Sequence, residues 1–128
     1  MGFDESTVYV EPPKLARACV IVSRHPAAVE FIRHTLTNDP WWKQFLADYS
    51  GSVDDIPAVE SADYSTVVDK IVLGNVPLQL AAECTMVVAV EFDGDPPRGQ
   101  EYTLADMRAA HATLRRYSVS ASDSPYGD

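Results

Sequence analysis

With 128 residues the chain is long enough for one ordinary domain and too short for two with separate cores. Apolar residues make up 46% of it and charged residues 23%, the balance of a globular protein rather than of a disordered or membrane-embedded one. A net charge of −9 sets the average surface field against a long nucleic acid. A compact nucleotide stays compatible with that charge, because a few arginines or one helix N-terminus can hold it.

No apolar stretch approaches the roughly 18 residues needed to span a bilayer. The opening MGFDESTVYVEPPK also lacks the basic-then-apolar order of a secretory signal. The expected location is the cytoplasm, without membrane attachment. Cys19 and Cys84 stand in the apolar contexts CVIV and AAEC, and both are expected to be reduced core thiols.

Residues 1–15 mix acids with Pro12 and Pro13 and read as an extended lead-in. The single domain is expected over residues 16–117. Ala16 to Val22 is a dense apolar run with β-branched character, the pattern of a strand buried on both faces of a parallel sheet. It stops at Ser23-Arg24-His25-Pro26. From Pro26 the spacing of Val29, Phe31, Ile32 and Leu36 predicts a helix, with Pro26 at a position where its missing N–H costs little. Asp39 and Pro40 end that helix, and DPWWKQFLADY predicts a second one with Trp41, Phe45 and Tyr49 on one side. Of the tryptophan pair, one is expected in the core and its neighbour at the rim.

Residues 50–65 show no period and read as a loop. Val67 to Leu73 is the next predicted strand, closed by Gly74-Asn75-Val76-Pro77, and LQLAAE then predicts a helix. Met86 to Phe92 is a third buried strand, followed by the polar stretch DGDPPRGQEY. Thr103 with Asp106 three residues on forms a capping-box pattern, and Met107, Ala110 and Leu114 predict a helix running to about Tyr117. Residues 118–128 read as a disordered tail.

Strands alternating with helices predict an α/β fold, a small Rossmann-like domain with a mainly parallel sheet flanked by helices. In such sheets ligands bind at the carboxyl ends of the strands, which brings Ser23 to Pro26 and Gly74 to Pro77 to one edge. Ser23, Arg24 and His25 offer a hydroxyl, a guanidinium that can bind two phosphate oxygens, and an imidazole that can donate or accept a proton, all before a helix N-terminus. The structural alternative makes Ser23 an N-cap, Arg24 a solvated charge and His25 a loop residue. Gly74 allows close backbone approach, and the side-chain amides of Asn75 and Gln79 could read an adenine edge or a ribose hydroxyl. Glu83 is expected to be a solvated carboxylate. His34 and His111 have no second ligand at helical spacing, so no metal and no cofactor is expected. Arg98, in DGDPPRG, could reach a ligand or a partner subunit.

SRHPAAVEFI resembles the Ser-Arg-His-Pro-Gly-Ala-x-Glu-Trp signature of the small ring nucleases associated with type III CRISPR systems. GNVPLQLAAE is similar to that family's Gly-x-Leu-Pro-x-x-Leu-Ala-Ala-Glu segment, and EYTLADMRA to its Leu-x-x-x-Asp-Met-Arg-Ala helix start. This chain departs in having Ala27 for Gly, Phe31 for Trp and Val76 for Leu, and in a longer segment around residues 39–65. The resemblance implies a CARF-like homodimer, related in design to sensor domains for cyclic oligoadenylate, with cyclic tetra-adenylate as substrate. It implies ring opening without metal: a ribose 2′-hydroxyl attacks the adjacent phosphorus and leaves a 2′,3′-cyclic phosphate. On that reading Ser23, Arg24 and His25 carry catalysis, while Pro26, Gly74, Asn75, Pro77, Gln79 and Arg98 bind the ligand. Two other readings stay open: a non-catalytic sink for the same messenger, and an interaction subunit of a defence complex.

Overall fold

The computed structural model describes residues 18–47, 51–95 and 102–122. Within them one five-stranded sheet forms from β1 (Cys19–Val22), β2 (Ala58–Val59), β3 (Ile71–Gly74), β4 (Met86–Phe92) and β5 (Ala112–Tyr117). The spatial order is β2-β1-β3-β4-β5; the first four strands run parallel, and β5 returns antiparallel beside β4. This is the Rossmann-like α/β arrangement expected from the alternating pattern. The chain steps outward from β1 to β2, then crosses back over β1 to lay down β3, so the strand order reverses at the β1–β3 pair.

All four residues of β1 are buried, because the strand has a core on each side. Cys19 and Ile21 face the first core with Leu73 and Val88, under α1 (Pro26–Asn38), α2 (Pro40–Phe45) and α5 (Leu104–Ala109). Val20 and Val22 face the second with Val72 and Val67, under the one-turn helices α3 (Tyr64–Val67) and α4 (Leu78–Ala81). The period of two along the strand sorts these side chains, and each fully buried Val, Ile or Leu contributes on the order of 2 kcal/mol. In α1 the buried residues Ala28, Phe31, Ile32 and Leu36 repeat at three and four, giving the apolar stripe that seats the helix on the sheet.

Asp39 ends α1 and begins α2: its N–H donates to the Thr35 carbonyl, and its carboxylate accepts from the N–H groups of Trp41 (2.9 Å) and Trp42 (3.3 Å). Trp42 is buried, whereas Trp41 is half exposed, stacked on Phe45 with the Arg116 guanidinium over both rings. Tyr49 lies outside the described residues. Cys19 is free and buried, and burial pushes its thiol up to about 11, while Cys84 is free, half-buried and also raised. Neither offers a ready thiolate at neutral pH.

Three expectations are corrected. The segment 50–65 is not simply a loop: it holds a 3₁₀ turn at Val53–Asp55, the strand β2 and the start of α3. β2 is too short to show a period, and it is held by its neighbour, with the Ile21 N–H donating to the Pro57 carbonyl and the Ser23 N–H to that of Val59. The strand expected from Val67 begins only at Ile71. Val67 closes α3, Asp69 turns the chain at φ 60°, and Lys70 Nζ donates to the Thr66 carbonyl.

The helix expected to reach Tyr117 stops at Ala109. The capping box is present, with the Thr103 hydroxyl and Asp106 carboxylate each accepting the other's backbone N–H, but His111 at φ 59° reverses the chain. The chain then enters β5, where Ala112 and Leu114 face the first core and Thr113, Arg115 and Tyr117 the other side. Leu114 sits opposite Val90, and Tyr117 hydrogen-bonds Glu91 across the pair. Of the expected termini, residues 1–15 lie outside the described set, and 118–122 carry no regular structure.

Gly74 joins β3 to the loop beyond it at φ 130°, and a Cβ there would stand 2.1 Å from the Val22 carbonyl oxygen. The three nearest atoms are all Val22 backbone, which cannot swing aside as a side chain could. Gly74→Ala should therefore destabilise the domain by roughly 3 kcal/mol, from left-handed strain plus overpacking. Urea unfolding checks this; a loss under about 1 kcal/mol would mean that the strand ends can separate.

Candidate functional site at the strand-order reversal

The loops leaving β1 and β3 diverge at the reversal, one toward α1 and the other toward α4, and a cleft of about 400 Å³ opens between them. Its apolar floor comes from Val22, Ala28, Ile32, Val90 and Phe92. Ser23, Arg24 and His25 form one wall, and Gly74 to Pro77 another. Thus the two segments expected to share an edge line one cavity, at the position where open α/β sheets take ligands.

Arg24 and His25 are exposed, at the mouth rather than the floor. Ser23 is not the N-cap of α1; its Oγ accepts the His25 N–H at 3.1 Å and so shapes the turn. His25 is the N-cap residue, and no side chain caps the helix. The N-terminal end of this 13-residue helix, with its partial positive charge, is left facing the cleft beside Arg24. An anion entering there would meet a guanidinium, an imidazole and a helix dipole together.

The remaining expected site residues divide. Asn75 and Pro77 line the cleft, as does Gly74, whose close approach is made to the Val22 carbonyl of the neighbouring strand. Pro26 and Gln79 are exposed on the first turns of α1 and α4 and are not among the lining residues. Arg98 lies outside the described residues. Glu83 is exposed past the far end of α4, toward the edge where β4 begins. The tryptophan pair and the histidines at 34 and 111 line no part of the cleft; the His34 imidazole instead meets Arg108 across the α1–α5 contact, 3.3 Å from Nδ1.

Two contributors escaped the sequence reading. Glu60, Ser61 and Ala62 form a wall beyond β2, placed there by a strand too short to announce itself. Arg33, on α1, holds the segment before them by donating to the carbonyls of Val53 (2.7 Å) and Ile56 (2.9 Å). Just after this wall, Asp63 caps α3, and hydrogen bonds from Thr66 and Ser65 hold its carboxyl below the usual range. The second contributor is Tyr102, half-buried before the capping box of α5; desolvation raises its phenol above the ordinary value. Its position immediately ahead of Thr103 was the available signal.

These features define an α/β domain with a cleft at its strand-order reversal, bordered by Arg24, His25 and the start of α1. Over residues 20–120 the chain matches the family model described as "Putative CRISPR-associated protein (Cas_VVA1548)", and it belongs to that family. No curated protein and no solved structure matches it. Among the described residues, no helix is long and apolar enough to cross a membrane.

The Arg33 clamp lies outside the cleft yet fixes its far wall. Arg33→Ala should cost about 2 kcal/mol, because two carbonyls lose a charged donor. It should also speed amide hydrogen exchange over residues 51–62. Unchanged exchange there would mean that β2 pairing alone holds the wall.

Proposed function

We propose that this CRISPR-associated protein is a metal-independent ring nuclease that opens a cyclic oligoadenylate messenger, cyclic tetra-adenylate, and so ends the antiviral signal of a type III system. The observation that carries the reading is the meeting of Ser23, Arg24, His25 and Asn75 around one cleft at the strand-order reversal, beneath an uncapped helix N-terminus. The resemblance of the same segments to the ring-nuclease signature supplies the substrate class.

The reaction asks little covalent chemistry of the protein. The 2′-oxygen of one ribose attacks the adjacent phosphorus in line, its proton leaves to a base, the bond to the 5′-oxygen breaks, and that oxygen takes up a proton. The product is linear with a 2′,3′-cyclic phosphate. Arg24, the Ala27 N–H and the dipole of α1 would neutralise charge gathering on the phosphoryl oxygens. His25, at the cleft mouth, would exchange a proton with the entering or leaving oxygen. Ser23 serves chiefly by shaping the turn that presents them, and Asn75 offers donor and acceptor groups to base or ribose.

A cleft of about 400 Å³ accommodates roughly one nucleotide rather than a four-nucleotide ring. On this reading a two-fold homodimer joins two clefts around one ring and doubles the local arginine, which offsets the acidic average. Tyr64 (56% exposed) and Leu78 (74% exposed) begin α3 and α4 directly beyond cleft-lining segments, and they are the surface on which the second copy would close. Light scattering should then give twice the 14.1 kDa chain mass, and Leu78→Asp should shift it to monomer. A monomeric wild type would remove the shared-ring geometry.

The deciding experiment incubates the protein with cyclic tetra-adenylate in EDTA and follows products by chromatography. Linear product should form, and Arg24→Ala should slow it by roughly 100-fold or more. His25→Ala should reduce turnover more than affinity. Binding without cleavage would make the protein a sink for the messenger, and absence of both would point to a subunit that works through protein contacts.

A further inference from the structure

One contact in the cleft is not accounted for by phosphate binding. The imidazole of His25 lies against the ring of Tyr102, with centroids 4.6 Å apart and planes inclined by 31°. The two come from segments far apart in sequence. His25 is the N-cap residue of α1, its backbone held by Ser23 Oγ. Tyr102 directly precedes the N-cap of α5 and is held by its reciprocal capping box.

Both anchors are tied by hydrogen bonds, and α1 and α5 pack against each other over the first core, where Tyr102 also lies beside the cluster containing Met107. An exposed histidine on a loop would otherwise sample several rotamers, with an entropy cost when a reaction must fix it. A half-buried aromatic face pre-pays that cost. A centroid separation of 4.6 Å is in the favourable range for aromatic pairs.

We propose that Tyr102 is a positioning residue for the proposed ring-opening reaction: its ring holds the His25 imidazole at the cleft mouth in the orientation that proton transfer needs. The role belongs to the ring face and not to the phenol oxygen. It rests on the ring-nuclease reading for its catalytic consequence, whereas the contact itself can be tested without any activity.

The test uses Tyr102→Leu and Tyr102→Phe in the full chain. First, the His25 ring-proton resonances are recorded in the unliganded proteins, where a stacked aromatic ring imposes a ring-current shift. Tyr102→Leu should abolish the shift and Tyr102→Phe should keep it; identical resonances in wild type and Tyr102→Leu would overturn the contact and the proposal with it. Second, cyclic tetra-adenylate cleavage is measured in EDTA. Tyr102→Leu should lower kcat by roughly 10- to 100-fold with KM within about 2-fold, and Tyr102→Phe should restore wild-type kcat within about 3-fold.

A rise in KM at unchanged kcat would make Tyr102 a base-stacking residue and overturn the positioning role. Loss of kcat in Tyr102→Phe would assign the work to the phenol and overturn it equally. If the wild type does not cleave, the ring-nuclease reading fails on that result, and the catalytic half of this proposal fails with it. The resonance comparison still decides whether Tyr102 fixes the His25 ring.

Discussion

Val22 and Gly74 face each other in the last pair of the β1–β3 ladder, so close that a methyl group at residue 74 would meet the Val22 carbonyl oxygen. Much of the site depends on that approach. It draws the ends of the two central strands together while their chains part in opposite directions, and the wedge between the departing loops is the cleft. Because the contact is between backbones, it is insensitive to side-chain rearrangement, and the loop beginning at Ser23 starts from a fixed point. The close pairing and the open cleft are two results of one reversal in strand order.

The segments that carry the polar groups around the wedge are tied down by hydrogen bonds both outside the cleft and in its wall. The capping box at Thr103 and Asp106 fixes the approach to Tyr102, Ser23 ties down the N–H of His25, and Arg33 pins the chain ahead of Glu60. The capping box and the Arg33 clamp lie outside the cleft lining, whereas the Ser23 bond is part of its wall. Under the proposed ring-opening reaction such a distribution would serve orientation and charge stabilisation, because rigidity reduces the reorganisation needed as charge develops. Only one nearby carboxylate, Glu60, lines the cleft among the described residues, so the overall acidity of the chain is largely kept off this surface.

Buried strands announced themselves where their signal was local. CVIV and MVVAVEF are apolar enough to be read as core strands, and the strands' shared polarity was enough to bring Ser23–His25 and Asn75–Pro77 to one edge. Elements defined by distant partners stayed hidden. β2 is two residues whose hydrogen bonds belong to β1, and nothing in Ala58-Val59 alone implies a strand. β5 misled for a different reason: Leu114 falls seven residues after Met107, which continues a helical stripe as well as it fits a strand. The reversal at His111 occurs without the glycine that usually marks it, and the unpaired edge of β4 decides in favour of the strand. The wall at Glu60 was illegible because β2 was, while Tyr102 was visible as the residue before a cap but carried no sign of its partner 77 positions earlier.

The antiparallel course of β5 bears on how this domain can be joined to others. The chain enters β1 at Cys19 and leaves β5 at Tyr117, and both points lie at the sheet edge opposite the cleft, since Tyr117 pairs with Val87 at the start of β4. A neighbouring module connected through either path would begin from the side that the ligand does not approach. A connection made at Cys19 or Tyr117 thus starts at the far edge of the sheet from the loops that form the cleft.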